Sequence, residues 1–133
     1  MTIAANDLVP VSRRDTNNVG NFNAVQLYGT TANTSNVTQG TSRTTAVTIN
    51  APVGTITLFS TANSATDSTF TVNNSFVDAG DVVLVTQKSG TDPRRIAVTA
   101  TAAGSFNVTS ASISGTTTGA PVYNFVVIKG ALV

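Results

Sequence analysis

The side chains that could carry catalysis are few in this chain. Its 133 residues include no His, Cys or Glu, so general acid–base chemistry would fall to Asp, Lys or Tyr. Lys88 and Ser89 bring an amine next to a hydroxyl, but the pattern around them predicts a solvated hairpin turn. The other Ser and Thr residues have no evident base to activate them. We therefore expect a protein without enzymatic activity.

The acidic residues are too scattered to suggest a metal site. Calcium prefers clustered oxygen ligands, often from alternating acidic positions. Asp78 and Asp81 flank Gly80, and Asp67 and Asp92 could lie near each other in the fold, but no such acidic string occurs. No glycine-rich phosphate loop is evident either. We expect no metal and no cofactor, and we expect the aspartates to close turns through side-chain hydrogen bonds.

The charge of the chain excludes several classes of partner. Charged residues make up 10% of the sequence and the net charge is +1, against about 25% charged residues in ordinary domains. Nucleic-acid binding would need a basic stripe that releases counterions from phosphates. No stretch approaches the roughly 20 apolar residues of a membrane span, and the N-terminus lacks the pattern of a secretion signal. We expect neither nucleic acid nor membrane as a partner.

The hydrophobic pattern predicts an all-β fold. Thr and Val dominate, and their β-branched side chains favour strands over helices. Apolar residues alternate with polar ones in short runs separated by turn residues. We therefore predict an antiparallel β-sandwich, with a jelly roll as one form that it could take. The predicted strands cover residues 44–50, 55–59, 69–73, 82–85, 96–100, 106–108 and 122–129.

The same alternation predicts the core of the sandwich. The continuous apolar run 82–85 is expected to be buried on both faces. The last strand is apolar on both sides, so we assign one side to the core and expect Tyr123, Phe125 and Val127 to face a neighbouring subunit. The predicted core residues are Val47, Ile49, Ile56, Leu58, Phe70, Val72, Val83, Val85, Ile96, Val98, Phe106, Val108, Val126 and Ile128.

The N-terminal part of the chain differs from the rest. Residues 1–35 are rich in Asn and Thr, with one plausible strand at 22–28. The apolar residues of that strand suggest an arm that makes contacts rather than a free tail. We predict two regions: an extended N-terminal arm at 1–35 and a β-sandwich domain at 36–133.

The basic residues form two small groups. Arg13 and Arg14 lie in the predicted arm, while Lys88, Arg94 and Arg95 surround a predicted hairpin. Such groups are often solvated surface. The functional alternative is docking onto an acidic protein surface, since guanidinium groups bind carboxylates through paired hydrogen bonds.

Three segments resemble a known family of proteins. They are residues 37–50 (VTQGTSRTTAVTIN), 54–57 (GTIT) and 125–130 (FVVIKG). Their order and spacing look like those of small decoration, or cement, proteins encoded near the capsid gene of tailed bacteriophages. The resemblance covers roughly residues 37–130. It implies a β-sandwich that associates with itself on the capsid exterior and has no catalytic activity.

These considerations predict a structural virion protein. The expected partners are the major capsid protein and other copies of the chain, as a homotrimer or, failing that, a dimer. The expected location is the outer capsid surface, after synthesis in the host cytoplasm. The alternative is a receptor- or glycan-binding β-sandwich module of a phage tail spike or fibre. That alternative has little support from aromatic content, since the chain has no Trp and two Tyr.

Overall fold

The computed structural model describes residues 34–130, and all of its regular elements are β-strands. None of these residues forms a helix, and so no described helix could span a membrane. The ten strands are β1 (Thr34–Thr38), β2 (Val47–Thr48), β3 (Val53–Thr57), β4 (Thr61–Ala62), β5 (Ser68–Asn73), β6 (Val82–Ser89), β7 (Arg94–Ala102), β8 (Ser105–Ser112), β9 (Thr118–Gly119) and β10 (Val122–Ile128).

The strands form two four-stranded sheets and one short ribbon. Sheet I has the order β1–β3–β10–β6, and sheet II has the order β2–β5–β8–β7. The ribbon pairs β4 with β9. The inner faces of the two sheets share one hydrophobic core. This arrangement is all-β, as predicted, and is consistent with a β-sandwich.

The sheets are mixed, so the prediction of purely antiparallel pairing is wrong at two edges. β1 runs parallel to β3, and β2 runs parallel to β5. Parallel neighbours require a crossover connection. Here the chain leaves sheet I after β1, forms β2 in sheet II and returns for β3, so that the other sheet supplies the crossover.

The predicted core is largely confirmed. Phe106 of sheet II and Phe125 of sheet I meet with ring centroids 5.6 Å apart, which marks the junction of the two layers. Three predicted members, Val85, Ile96 and Val98, are partly buried against the cluster. The buried members of the predicted set are Val47, Ile49, Ile56, Leu58, Phe70, Val72, Val83, Phe106 and Val108.

The faces of the last strand are the reverse of those predicted. Tyr123, Phe125 and Val127 are buried in the core, so they cannot form the predicted subunit interface. Val126 and Ile128 lie on the outer face and are half-buried. Gly54 of β3 pairs with Phe125, and a Cβ at position 54 would approach Phe125 Cε1 to 2.7 Å. Because Gly54 has no side chain, the ring of Phe125 has room on the inner face of sheet I.

The strand β6 is buried on one face, where the sequence predicted burial on both. Val83 and Val85 point inward, whereas Val82 is 52% exposed and Leu84 51% exposed. β6 lies at the edge of sheet I, and none of the residues 34–130 buries the outer sides of these two residues. The run 82–85 is continuously apolar because β6 carries apolar residues on its outer face, Val82 and Leu84, as well as on its inner face.

The predicted arm lies almost entirely outside the described residues. This holds for Arg13, Arg14 and the strand predicted at 22–28. Within the described range, β1 already begins at Thr34. The predicted boundary after residue 35 therefore falls inside the first strand of sheet I.

Candidate functional site

A buried polar network lies where the ribbon meets the two sheets. It consists of Arg43, Asn63, Asp92, Arg94 and Tyr123, and each of these residues is at most 8% exposed. Buried charged groups are rare unless hydrogen bonds satisfy them. We call this set the arginine network, and its contacts determine what chemistry the site can support.

Arg43 links the ribbon to the segment before β2. Its Nε donates to the Phe59 carbonyl at 2.9 Å, and its Nη2 donates to the carbonyls of Thr61 at 2.9 Å and Gly119 at 2.6 Å. Its Nη1 donates to Oδ1 of Asn63 at 2.7 Å. These four hydrogen bonds tie the segment around Arg43 to residues 59–63 and to Gly119, so Arg43 has a clear structural role.

Arg94 enters the network from sheet II. Its Nε donates to the Tyr123 hydroxyl at 2.6 Å, and its Nη1 donates to the same Asn63 oxygen at 3.0 Å. The Tyr123 hydroxyl in turn donates to Oγ of Ser110 at 2.8 Å. No described residue accepts a hydrogen bond from Nη2 of Arg94. Its guanidinium therefore keeps donor capacity that the described residues leave unused.

Asp92 carries the negative charge of the network. Its Oδ2 accepts hydrogen bonds from Nδ2 of Asn63 at 2.8 Å and from the amide of Thr117 at 3.1 Å. The bond from Asn63 is the main cause that holds the pKa of Asp92 below its usual value, and Thr117 adds to it against the opposing effect of burial. Asp92 is therefore ionised at neutral pH and faces the guanidinium groups across the Asn63 amide.

The guanidinium of Arg43 responds to its surroundings. Burial lowers the pKa of Arg43, and the positive charge of Arg94 lowers it further, with a smaller opposing effect from Tyr123. Arginine nevertheless stays protonated in proteins. The site thus holds two like charges that share one amide oxygen, an arrangement that favours the approach of an anion.

An open pocket of about 250 Å³ lies over these two guanidinium groups. Phe59 and Ala62 supply apolar surface to its wall. Hydroxyl-bearing residues supply the rest, and they are Ser42, Thr61, Ser64, Thr66 and Ser68. The pocket therefore combines buried positive charge, several hydroxyl groups and one aromatic ring.

A second surface feature lies on the outer face of sheet I. Val126 pairs with Val53 on one side and Leu84 on the other, and Ile128 pairs with Val82. These five side chains are half-buried or exposed. We call them the apolar patch. A shallow groove of about 510 Å³ runs over part of it, so the patch offers contact area without charge.

The structure separates the basic residues predicted to dock together. Arg94 is buried in the arginine network, so its assignment to a docking surface is wrong. Arg95 points to the opposite face of β7 and pairs with Asp67 at 3.0 Å, both side chains being more than half exposed. Lys88 is exposed at the end of β6. Of the hairpin group, Lys88 and Arg95 remain on the surface.

Sequence reasoning missed Arg43 and Asn63. Arg43 is the only charged residue between positions 37 and 50, which could have marked it as special. Asn63 carries no such signal in a chain rich in Asn. The predicted turn-closing role of the aspartates is confirmed for Asp81, whose Oδ2 accepts from the amide of Asp78 at 2.8 Å, whereas Asp92 bonds to residues distant in the sequence.

Comparisons with known proteins assign no family: the chain matches no family model, no curated protein and no solved structure.

Proposed function

We propose that this chain is a structural virion protein, a decoration or cement protein that binds the outer surface of a tailed-phage head and stabilises it. One observation carries the proposal. Parts of the three segments that resemble cement proteins meet in sheet I, where Val37 pairs with Ile56 and Gly54 pairs with Phe125, while the rest of the first segment runs through β2 in sheet II. The three segments are thus neighbours in the fold at β1, β3 and β10, and this proximity supports the proposal.

The proposal includes self-association as a homotrimer, with a dimer as the runner-up. Since Tyr123, Phe125 and Val127 are in the core, we assign the contact between copies to the apolar patch. The patch lies on a sheet face whose only charged side chain within the described residues is that of Lys88. An apolar surface needs no complementary charge on its partner, so three copies can bring their patches together around a three-fold axis.

Attachment to the major capsid protein would rest on several weak contacts. Lys88 and Arg95 supply exposed positive charge, and the proposed arm at 1–35, with Arg13 and Arg14, would add further contacts. Several linked contacts raise the effective affinity by orders of magnitude.

A sandwich of jelly-roll type and a location on the outside of the virion belong to the same proposal. Catalysis has no part in it, because the chain lacks His, Cys and Glu.

Copy number in purified virions tests the proposal. Quantitative mass spectrometry should find the chain in amounts comparable to the capsid protein. Added to capsids that lack it, the purified chain should sediment with them and raise their thermal stability. A few copies per particle would contradict a cement role and favour a tail component.

The subunit contact is tested separately by light scattering on the purified protein. The parent should have the mass of three chains. Leu84→Asp places a charge in the apolar patch and should give monomers, whereas Ala97→Asp, on the exposed face of β7, should leave the mass unchanged. A monomeric parent, or a Leu84→Asp variant with the parental mass, would overturn the assigned interface.

The alternative, a receptor- or glycan-binding module of a tail spike or fibre, has one observation in its favour. The pocket over Arg43 and Arg94 includes Phe59 and several hydroxyl groups, which is the kind of lining that sugar sites use. Binding of the chain to host-cell surfaces, together with low copy number in virions, would favour this alternative over cement.

A further inference from the structure

The charges of the arginine network do not cancel. Arg43 and Arg94 contribute two positive charges and Asp92 one negative charge, so the buried set carries a net charge of +1. Neither guanidinium bonds directly to Asp92 among the described residues, because Asn63 stands between them. A buried charge without a counter-charge is costly. An anion with a single negative charge in the pocket would remove that imbalance.

The donors of Arg94 show where such an anion would bind. A guanidinium has five N–H donors, and the described residues accept from Nε and Nη1 of Arg94 but not from Nη2. Arg94 is 8% exposed, so most of the residue is withdrawn from solvent. Its side chain also lines the open pocket. Arg43, by comparison, makes four hydrogen bonds to protein oxygens.

We propose that this pocket binds an acidic sugar, with the sugar carboxylate on the free N–H donors of Arg94. Carboxylates form short, charge-assisted hydrogen bonds with guanidinium groups. A carboxylate also brings one negative charge, which matches the net charge of the arginine network. A sulfate ion or a fully ionised phosphate would overcompensate it. This inference rests on the alternative, glycan-binding function and names its ligand class; its failure would leave the cement proposal, which is tested by copy number, untouched.

The rest of the pocket favours a sugar as the carrier of the carboxylate. Of the described residues, none forms a hydrogen bond with the side-chain hydroxyl of Thr61 or of Thr66, and both residues line the pocket. These hydroxyls can bond to sugar hydroxyls, while Phe59 offers an apolar surface for a ring face. The volume of about 250 Å³ lies below the ~300–1,000 Å³ of pockets for drug-sized ligands, which suits one sugar ring. An acidic peptide side chain would leave most of this lining unused.

Glucuronate and glucose form a matched pair of probes for the full-length chain. The two differ in the carboxylate at C6, and binding is followed by isothermal calorimetry and by amide shifts in NMR spectra. We expect saturable binding of glucuronate and none of glucose. Arg94→Gln should weaken glucuronate binding about tenfold or more, since it removes a charge-assisted hydrogen bond. Lys88→Gln, which removes a positive charge from an exposed position outside the pocket lining, should bind like the parent.

A second variant keeps the test decisive if Arg94→Gln fails to fold. Ala62→Leu fills part of the pocket from an exposed position and removes no polar group, so it should fold and lose glucuronate binding. Retained binding in this variant, or no binding of glucuronate by the parent at tens of millimolar, would overturn the proposal. It would equally be overturned if sulfate or the peptide Gly-Asp-Gly bound more tightly than glucuronate.

Discussion

Nε of Arg94 donates a 2.6 Å hydrogen bond to the hydroxyl of Tyr123 inside the protein. Arg94 belongs to β7 of sheet II and Tyr123 to β10 of sheet I. This bond therefore connects the two sheets near the points where β7 and β10 begin. The Tyr123 hydroxyl also donates to Ser110. The tyrosine thus acts as acceptor for a buried charge and as donor to a neutral hydroxyl.

Tyr123→Phe should destabilise the fold through this bond. The substitution keeps the ring but leaves Nε of Arg94 without its acceptor, and loss of a hydrogen bond to a buried charged group costs about 1.5–3 kcal/mol. Urea denaturation of parent and variant measures the difference. Ser110→Ala is the comparison, because it leaves only a neutral hydroxyl without an acceptor and should cost about 1 kcal/mol. Equal losses in the two variants would contradict a special role for Arg94.

Gly54→Ala should also destabilise the protein, through overpacking. An added Cβ would lie 2.6 Å from Ile49 Cδ1 and 2.7 Å from Phe125 Cε1. Forcing a methyl group into a packed core costs about 1–3 kcal/mol. Gly40→Ala is the matched control, because nothing lies within 4 Å of its added Cβ. Chemical denaturation should therefore separate the two alanine variants, and similar midpoints for both would refute the assigned face of β10.

The parts of the fold that the sequence predicted are those set by local pattern. Alternation in segments such as Thr69–Thr71, around Phe70, directly indicates which side chains face inward, because the side-chain period of a strand is two. The same rule fails for β10, where both faces are apolar. Its orientation depends on Gly54, a residue of the neighbouring strand that periodicity cannot identify.

Strand pairing and the candidate site depend on distant residues, which explains why they were missed. The parallel edges follow from crossovers between the sheets, and no local pattern records a crossover. Arg94 lies beside a turn, where arginine is usually solvated. Its burial depends on Asn63 and Tyr123, which are 31 and 29 residues away in the sequence. Sequence reasoning therefore assigned this arginine to the surface.

Acid should destabilise the protein partly through Asp81. Burial opposes ionisation of this carboxyl, but hydrogen bonds from Lys129, Gly130 and Asp78 outweigh it and hold the pKa of Asp81 below its usual value. The stabilisation is therefore present above the unfolded-state pKa of about 3.9 and is lost as the pH falls through the lower pKa of the folded state. We expect the melting temperature of the parent to fall steeply below about pH 4.

Asp81→Asn isolates this contribution. The variant cannot form the 2.7 Å ion pair with Nζ of Lys129, so it should melt below the parent at pH 7 and lose less on acidification. The gap between parent and variant should narrow as the pH falls through the lowered pKa of Asp81 in the folded state. Calorimetric melting curves between pH 2 and pH 7 provide the measurement, and parallel curves across that range would exclude Asp81 as a cause of acid sensitivity.

Phe106→Ala should be among the most damaging single changes. Phe106 is buried in sheet II and its ring packs against Phe125 of sheet I, so truncation opens a cavity between the layers. Such changes cost about 3–5 kcal/mol, a large part of the ~5–15 kcal/mol by which domains are stable.

Leu58→Ala, a truncation of another buried residue, should cost about 2–5 kcal/mol. Ile113 is 62% exposed, so Ile113→Ala should change the unfolding free energy by about 0.5 kcal/mol or less. If guanidinium denaturation gave all three variants the parental midpoint, the two sheets could not share the core described here.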